Sequence, residues 1–266
     1  VTARAASRGA WRPRRATKEA LPRRRRATRL ALAAVLLALP ACRAAAVTPA
    51  APGGPAPPDR TLNVAFLVVD GVYNSELVAP YDIFHHVRFH AEPAMEVFTV
   101  APTRAPVTTF EGLVLRPHHD FASCPDVDVL VVPSAEHSMD DDLEDEAMMA
   151  FVRERGAAAD WCLSLCDGAF VLAAAGLLDG HEATTFPGDL AAFRERFGDT
   201  VTVHEDVSFV HDGRMITAAG GARSYDPAMY LVERLYGPRA AAGVGRGMVI
   251  DWDPDAIAHV RRPRGR

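Results

Sequence analysis

The sequence predicts an α/β domain with a mostly parallel central sheet covered by helices on both faces, and three observations predict it. Short, continuous apolar runs rich in β-branched residues recur at Leu62–Val69, Met95–Ala101, Val127–Val132 and Trp161–Leu165, the pattern of strands buried on both sides. Segments with helical apolar spacing alternate with them. The 266 residues are 49% hydrophobic and 24% charged, which suits a large packed core and excludes a disordered or collagen-like chain.

The elements follow in chain order. Leu62–Val69 is a strand closed by Asp70-Gly71. Ser75–Phe89 places Leu77, Val78, Tyr81, Phe84 and Val87 at helical spacing, with Ser75 as the expected N-cap. Met95–Ala101 is a second strand, and Val107–Leu115 a hairpin about Glu111-Gly112. Val127–Val132 is a strand, and Leu143–Arg155 a helix led by Asp140–Asp142. Trp161–Leu165 and Gly168–Leu178 form a strand–helix pair, and Phe186–Phe197 a helix after a short strand. Val201–Val203, Val207–Val210 and Met215–Ala218 are short strands with a turn at Asp212-Gly213. Ser224–Tyr236 is the last helix, and the polar, basic stretch from Asp253 reads as a loosely ordered tail.

The −5 net charge averages two unlike parts. Residues 1–41 carry 11 of the 29 basic residues and a single acid, Glu19, so the rest of the chain is strongly acidic. An acidic globular part argues against nucleic-acid binding, which requires cationic surface. Lys18 is the only lysine, which excludes a Schiff base or P-loop lysine in the folded part. Four cysteines in this length do not suggest a disulfide framework.

The basic start, the apolar run Leu30–Leu39 and the small residues after it predict a secretory signal over residues 1–41. The run of about 10 residues is short of the roughly 20 needed to span a bilayer. Leu39-Pro40-Ala41-Cys42 resembles a bacterial lipobox, which makes Cys42 the expected lipidation site and predicts a lipid-anchored envelope protein. Residues 42–60, rich in Ala and Pro, read as a tether reaching on the order of 50 Å if extended. The folded domain is expected over 61–250, with 251–266 as the tail.

In such folds ligands bind beyond the carboxyl ends of the strands, here at Asp70–Glu76, Pro133–Asp140, Leu165–Gly168 and Ala219–Tyr225. In LSLCDGAFVLAAAGLLDG (163–180), Cys166 follows a buried strand and precedes a helix. A side chain at such a turn stands above the sheet, and a helix start favours an anion. Such settings lower a thiol pKa from about 8.5 into roughly 3.5–7.5, so Cys166 is expected to be an activated nucleophile. The backbone N–H of Asp167 is placed to stabilise an oxyanion.

This segment, together with GVYNSELVAPYDIF (71–84) and ATTFPGDL, resembles the ThiJ/PfpI superfamily of the class I glutamine amidotransferase-like fold over residues 62–248. The resemblance implies a flavodoxin-like three-layer sandwich with a nucleophile elbow. It implies that Glu76 matches the carboxylic acid that hydrogen-bonds the elbow sulfur. The sequence departs from the family pattern at three places. Phe186 stands where a His often follows the elbow, Asp167 where other members carry His, and Ser134-Ala135 replaces Gly-Gly. The Ala135 N–H is expected as the second oxyanion donor, with His137 as an auxiliary base.

No metal or cofactor is expected. His85, His86 and His90, and His118-His119-Asp120, lack a third ligand placed by the sequence. The expected activity is attack by Cys166 on a small electrophilic substrate, in hydrolase, hydratase or glyoxalase style, with Glu76 assisting. The alternative is a non-catalytic thiol redox sensor or ligand-binding domain of the cell envelope. A glutamine amidotransferase would need a late His-x-Glu pair that His204-Glu205 does not provide. A hydrolase elbow, Ser164-x-Cys166-x-Gly168, would call on Asp226 and His259. Dimers are common in the family, so a homodimer is an expected arrangement.

Overall fold

The computed structural model describes residues 58–262. The expected signal segment, Cys42 and most of the expected tether lie outside the described residues. Eight strands form one sheet: β1 (Leu62–Leu67), β2 (Met95–Ala101), β5 (His119–Asp120), β6 (Val129–Val132), β7 (Trp161–Leu165), β10 (Phe209–Asp212), β11 (Met215–Ala218) and β12 (His259–Arg262). Their order is β12-β10-β11-β7-β6-β1-β2-β5. All neighbours are parallel except the β10–β11 hairpin, as the continuous apolar runs require. Two small ladders lie outside this sheet: β3 (Val107–Thr108) with β4 (Val114–Leu115), and β8 (Glu182–Ala183) with β9 (Thr202–Val203).

Strand side chains alternate between two cores. Val64, Phe66, Leu163 and Leu165 face α1 (Asn74–His86) and α5 (Tyr225–Met248), where Phe84, Met229 and Leu231 are buried. Ala65, Leu67, Leu130 and Cys162 face α2 (Glu146–Ala158), α3 (Gly168–Ala174) and α4 (Leu190–Phe197), around Val152, Phe170 and Phe193. The result is the predicted three-layer sandwich. Among the described residues no helix is long and apolar enough to cross a membrane.

Several boundaries differ from expectation, each for a local reason. Helix α1 begins at Asn74 after Tyr73, with no side-chain cap, so Ser75 is not its N-cap. The Asn74 N–H is taken instead by Glu111 Oε2 at 3.1 Å, from the loop joining β3 to β4. Asp145 caps α2 through the N–H groups of Ala147 and Met148, both at 2.9 Å. Helix α5 continues past Tyr236 to Met248 across a break at Gly237, whose φ of 82° is non-helical. Its second half packs glycines against the α1 end. A Cβ on Gly243 would stand 2.6 Å from His90, and one on Gly247 2.3 Å from His86. The expected loose tail is a strand: β12 pairs in parallel with β10, from Phe209–His259 to Asp212–Arg262.

Candidate functional site

The four loops named above meet at the carboxyl edge of the sheet, with β7 between β6 and β11. Cys166 is the first residue past β7 and has a φ of 54°, in the left-handed region that a side chain enters at a cost. Two glycines make this possible. A Cβ at Gly168 would lie 2.0 Å from the Val132 carbonyl oxygen, so only glycine lets α3 start this close to β6. A Cβ at Gly220 would lie 2.4 Å from the Cys166 Cβ, so the loop after β11 also closes on the elbow. The Cys166 N–H donates to the Ala218 carbonyl at 2.9 Å, fixing the elbow to that strand.

Glu76 lies in the first turn of α1 and is 4% exposed. Its carboxylate accepts the Ser134 N–H and the Gly221 N–H, each at 3.1 Å, and so joins the loops after β6 and β11. Burial raises its pKa to about 7, against the opposing pull of the Gly221 N–H, the Cys166 thiol and the Ser134 N–H. Glu76 and the Asp167 N–H both lie close enough to Cys166 to act on the proton affinity of its sulfur, in opposite directions. Cys166 and Glu76 are thus brought together as expected.

The charge state of the sulfur is the opposite of the expectation from its helix-start position. Burial, then the Glu76 and Asp167 carboxylates, push the Cys166 pKa well above that of a free thiol. The helix behind it has only seven residues, Gly168–Ala174, and a single N–H opposes two acids. Burial and the two carboxyls thus disfavour the thiolate, and Glu76 stands beside the thiol.

The Asp167 side chain belongs to the site as much as its N–H does. Its Oδ2 lies 3.7 Å from Cys166 Sγ, and its Oδ1 lies 2.9 Å from Thr185 Oγ1. Thr185 Oγ1 is also 2.9 Å from the Cys166 carbonyl oxygen, so its one proton is shared between the two acceptors. Burial raises the Asp167 pKa to about 6; Thr185 opposes this, and the neighbouring Asp189 carboxyl adds to it. Tyr73 lines the same space, its phenol pKa raised by burial and by the Cys166 and Glu76 charges, and its ring tilts against Phe110 at 4.7 Å. A cavity of about 520 Å³ opens beside the elbow, with Thr185, Ser208, Ala219 and Arg223 in its wall.

Two expected site residues have other partners. The Ala135 N–H ends on Ser138 Oγ at 2.8 Å, so it is not a free oxyanion donor. A turn hydroxyl three residues on has captured it. His137 is exposed, and its Nδ1 is 3.4 Å from Asp140 Oδ1, so it pairs with an acid of its own loop and not with the thiol. With Asp141 these two form an exposed acidic cluster. His86 stacks on His90 at 5.7 Å, and His118 Nδ1 contacts Thr99 Oγ1 at 2.8 Å. The rival constellations do not assemble. His204 pairs with Glu182 at 2.8 Å, and Glu205 with Arg194. Asp226 takes the Ser208 hydroxyl at 2.6 Å, while His259 stacks on Phe209 at 4.7 Å.

Sequence reasoning missed Thr185 and the carboxyl of Asp167 as one group. The signal available was the polar run on either side of Phe186, ATTFPGD, in the stretch that the resemblance already included.

Comparison with known proteins agrees with this geometry. The DJ-1/PfpI family pattern matches residues 62–234. An isonitrile hydratase of Pseudomonas putida is 32% identical over 176 residues, covering 66% of this chain and 73% of that protein. A ThiJ/PfpI family protein from Pseudomonas syringae superposes with a TM-score of 0.63 at 29% identity, over 73% of this chain and 77% of that one. Drosophila melanogaster DJ-1beta shares the fold, with a TM-score of 0.63 at 18% identity over 72% of this chain and all of that one. A buried elbow cysteine near a first-helix glutamate, on this sheet and with these relatives, leads to one conclusion: the chain belongs to the DJ-1/PfpI family.

Proposed function

We propose that this protein is a cysteine-dependent enzyme acting on a small electrophilic carbon, with isonitrile hydration as the favoured reaction. The observation that carries the reading is the Cys166–Glu76 pair: a thiol on a left-handed elbow beside a carboxyl raised to about 7. A base titrating near neutrality is suited to take a proton at working pH, and here it stands in for the absent imidazole. Cys166 Sγ attacks the substrate carbon as its proton passes to Glu76. Water then adds to the same carbon, the C–S bond breaks and the thiol is restored. The Asp167 N–H, which lies close to the sulfur, steadies charge that develops there. The name of the 32% identical relative supports the choice of isonitrile over carbonyl or amide substrates.

The thiol-sensor alternative would use the same thiol and the same proton transfer to Glu76; what favours the enzyme is the name of the 32% identical relative. The experiment incubates the purified protein with a small alkyl isonitrile and follows formamide production, with a nitrile and glyoxal as comparators. Formamide made by the wild type and not by Cys166→Ser supports the proposal. Equal turnover by both proteins, or none by the wild type, overturns it.

The location is also a proposal. The signal-like residues 1–41 and Cys42 would anchor the domain to the envelope by a lipid, with the Pro-rich stretch as spacer. Intact mass after detergent extraction tests this, since an unmodified Cys42 removes the anchor.

A further inference from the structure

We infer that the cavity beside the elbow is a recognition site for an alkylammonium group, so that the substrate is a small electrophile carrying a primary amine on a short aliphatic chain. The inference deepens the enzymatic reading above and rests on it. The cavity holds about 520 Å³, and two of its lining residues adjoin Cys166. Thr185 Oγ1 lies 2.9 Å from the Cys166 carbonyl oxygen, and Ala219 precedes Gly220, whose backbone closes on the Cys166 Cβ. Pro187, Leu190, Val207 and Ala258 give the wall apolar stretches that suit methylene groups.

The polar part of the wall selects the head group. Three buried residues with hydroxyls line the cavity, and each hydroxyl has its proton engaged within the protein. Thr184 Oγ1 donates to the His204 carbonyl at 2.9 Å, Ser208 Oγ to Asp226 at 2.6 Å, and Thr185 Oγ1 to the Cys166 carbonyl or Asp167. What these oxygens have left for a ligand is lone pairs. The charges point the same way. Glu205 is paired with Arg194, and Arg223 with Asp226 at 3.3 Å. Asp206 also lines the cavity, and among the described residues its carboxylate has no hydrogen-bond or ion-pair partner. Its backbone sits at a φ of 58°, a left-handed conformation that Asp enters at some cost and that no local bond from its own side chain supports.

One uncompensated negative charge and a wall of acceptors match a ligand that is cationic and only donates. A primary ammonium has N–H donors and no acceptor, and its alkyl stem suits the apolar stretches. A carboxylate or phosphate would find a single guanidinium, which Asp226 already holds, and would face Asp206. The acidic balance of the chain beyond residue 41 favours the approach of such a cation. The ammonium takes no part in making or breaking bonds. It holds the substrate while Cys166 Sγ meets the reacting carbon.

The test uses the whole chain and compares aminopropyl isonitrile with butyl isonitrile, two substrates of equal chain length that differ in charge. The wild type should show a kcat/KM about fivefold or more higher for the amine, the scale of one charge-assisted hydrogen bond at a partly exposed site. Asp206→Asn keeps a residue suited to the left-handed backbone and should bring that ratio down toward one. Equal turnover of the two isonitriles by the wild type, or a ratio that Asp206→Asn leaves unchanged, overturns the inference. Binding separates it from its parent. Propylammonium titrated into the wild type should shift the amide NMR signals of Thr184, Asp206 and Ser208 where propanol does not, and it should bind about fivefold or more weakly to Asp206→Asn. Absence of such binding overturns the cationic site whether or not isonitriles are hydrated. Binding without hydration supports the site and removes only the reaction.

Discussion

Cys162 and Cys166 lie four residues apart, one within β7 and one just beyond it, and both are buried. Cys162 Sγ contacts the Gly156 carbonyl at 3.4 Å and lies 3.7 Å from an Arg214 guanidinium nitrogen. Burial pushes its pKa to about 11, with Arg214 pulling it back. Cys166 has two carboxyls where Cys162 has a cation, and its pKa is raised by charge as well as by burial. The nearby charges therefore differ in sign at the two thiols. What Cys166 has in addition is a left-handed backbone that lifts its sulfur out of the ladder and acids that titrate near neutrality. On the proposed function, the contrast makes activation at this site a matter of proton acceptance at the moment of attack.

The largest effect that could break the comparison is on turnover. Cys166→Ser should lower kcat/KM at least about a thousandfold, the scale on which loss of a nucleophile acts. Cys162→Ala should leave kcat/KM within about twofold, with an unfolding cost of about 1–2 kcal/mol for a small buried truncation. Steady-state kinetics and denaturant melts of the two variants check both halves.

Glu76 sharpens the comparison through pH. A carboxyl near 7 in the folded chain and 4.5 when unfolded binds more protons folded than unfolded between those values. Stability from this group is therefore fullest below about 4.5 and is lost as pH rises through 7, by on the order of 3 kcal/mol. Glu76→Gln should flatten that slope, so the difference in Tm between pH 5 and pH 7.5 shrinks. It should also lower kcat about a hundredfold or more by removing the base.

Gly220→Ala is expected to cost about 2–3 kcal/mol, because its φ is +79° and the new Cβ would stand 2.4 Å from Cys166 Cβ. Equilibrium unfolding measures the cost, and a loss no larger than that of a surface substitution would show that the elbow yields. Thr185→Val should have the smallest effect, about 1–2 kcal/mol, from losing its hydrogen bonds to Asp167 and the Cys166 carbonyl.

The parts legible in the sequence were those whose cause is local. Strands β1, β2, β6 and β7 carry continuous apolar runs, and the Glu111-Gly112 hairpin has its turn residues in place. Strand β12 was illegible because it pairs through its backbone, and Arg261 and Arg262 leave no apolar pattern. The second half of α5 was hidden by Gly237-Pro238, which reads as a stop. At the site, Cys166 and Glu76 each sit in a short recognisable stretch. The Ala135 N–H was lost as a donor because it donates to Ser138 Oγ, a bond that depends on the turn's final shape. The direction of the thiol shift differs from the expectation because burial and the Glu76 and Asp167 carboxyls all raise it, and the burial is not visible in the sequence. Thr185 reaches the elbow from 19 positions along the chain, a distance only tertiary structure closes.

The final strand bears on how the chain can be shortened. Residues 259–262 cover the outer side of β10, whose four side chains are all buried. Trimming the polar C-terminus just before His259, a natural choice for crystallographers, would bare a row of unpaired amides and carbonyls beside an apolar interior. Such a rim is adhesive toward other strands, so the shortened protein should self-associate although its reactive centre is untouched.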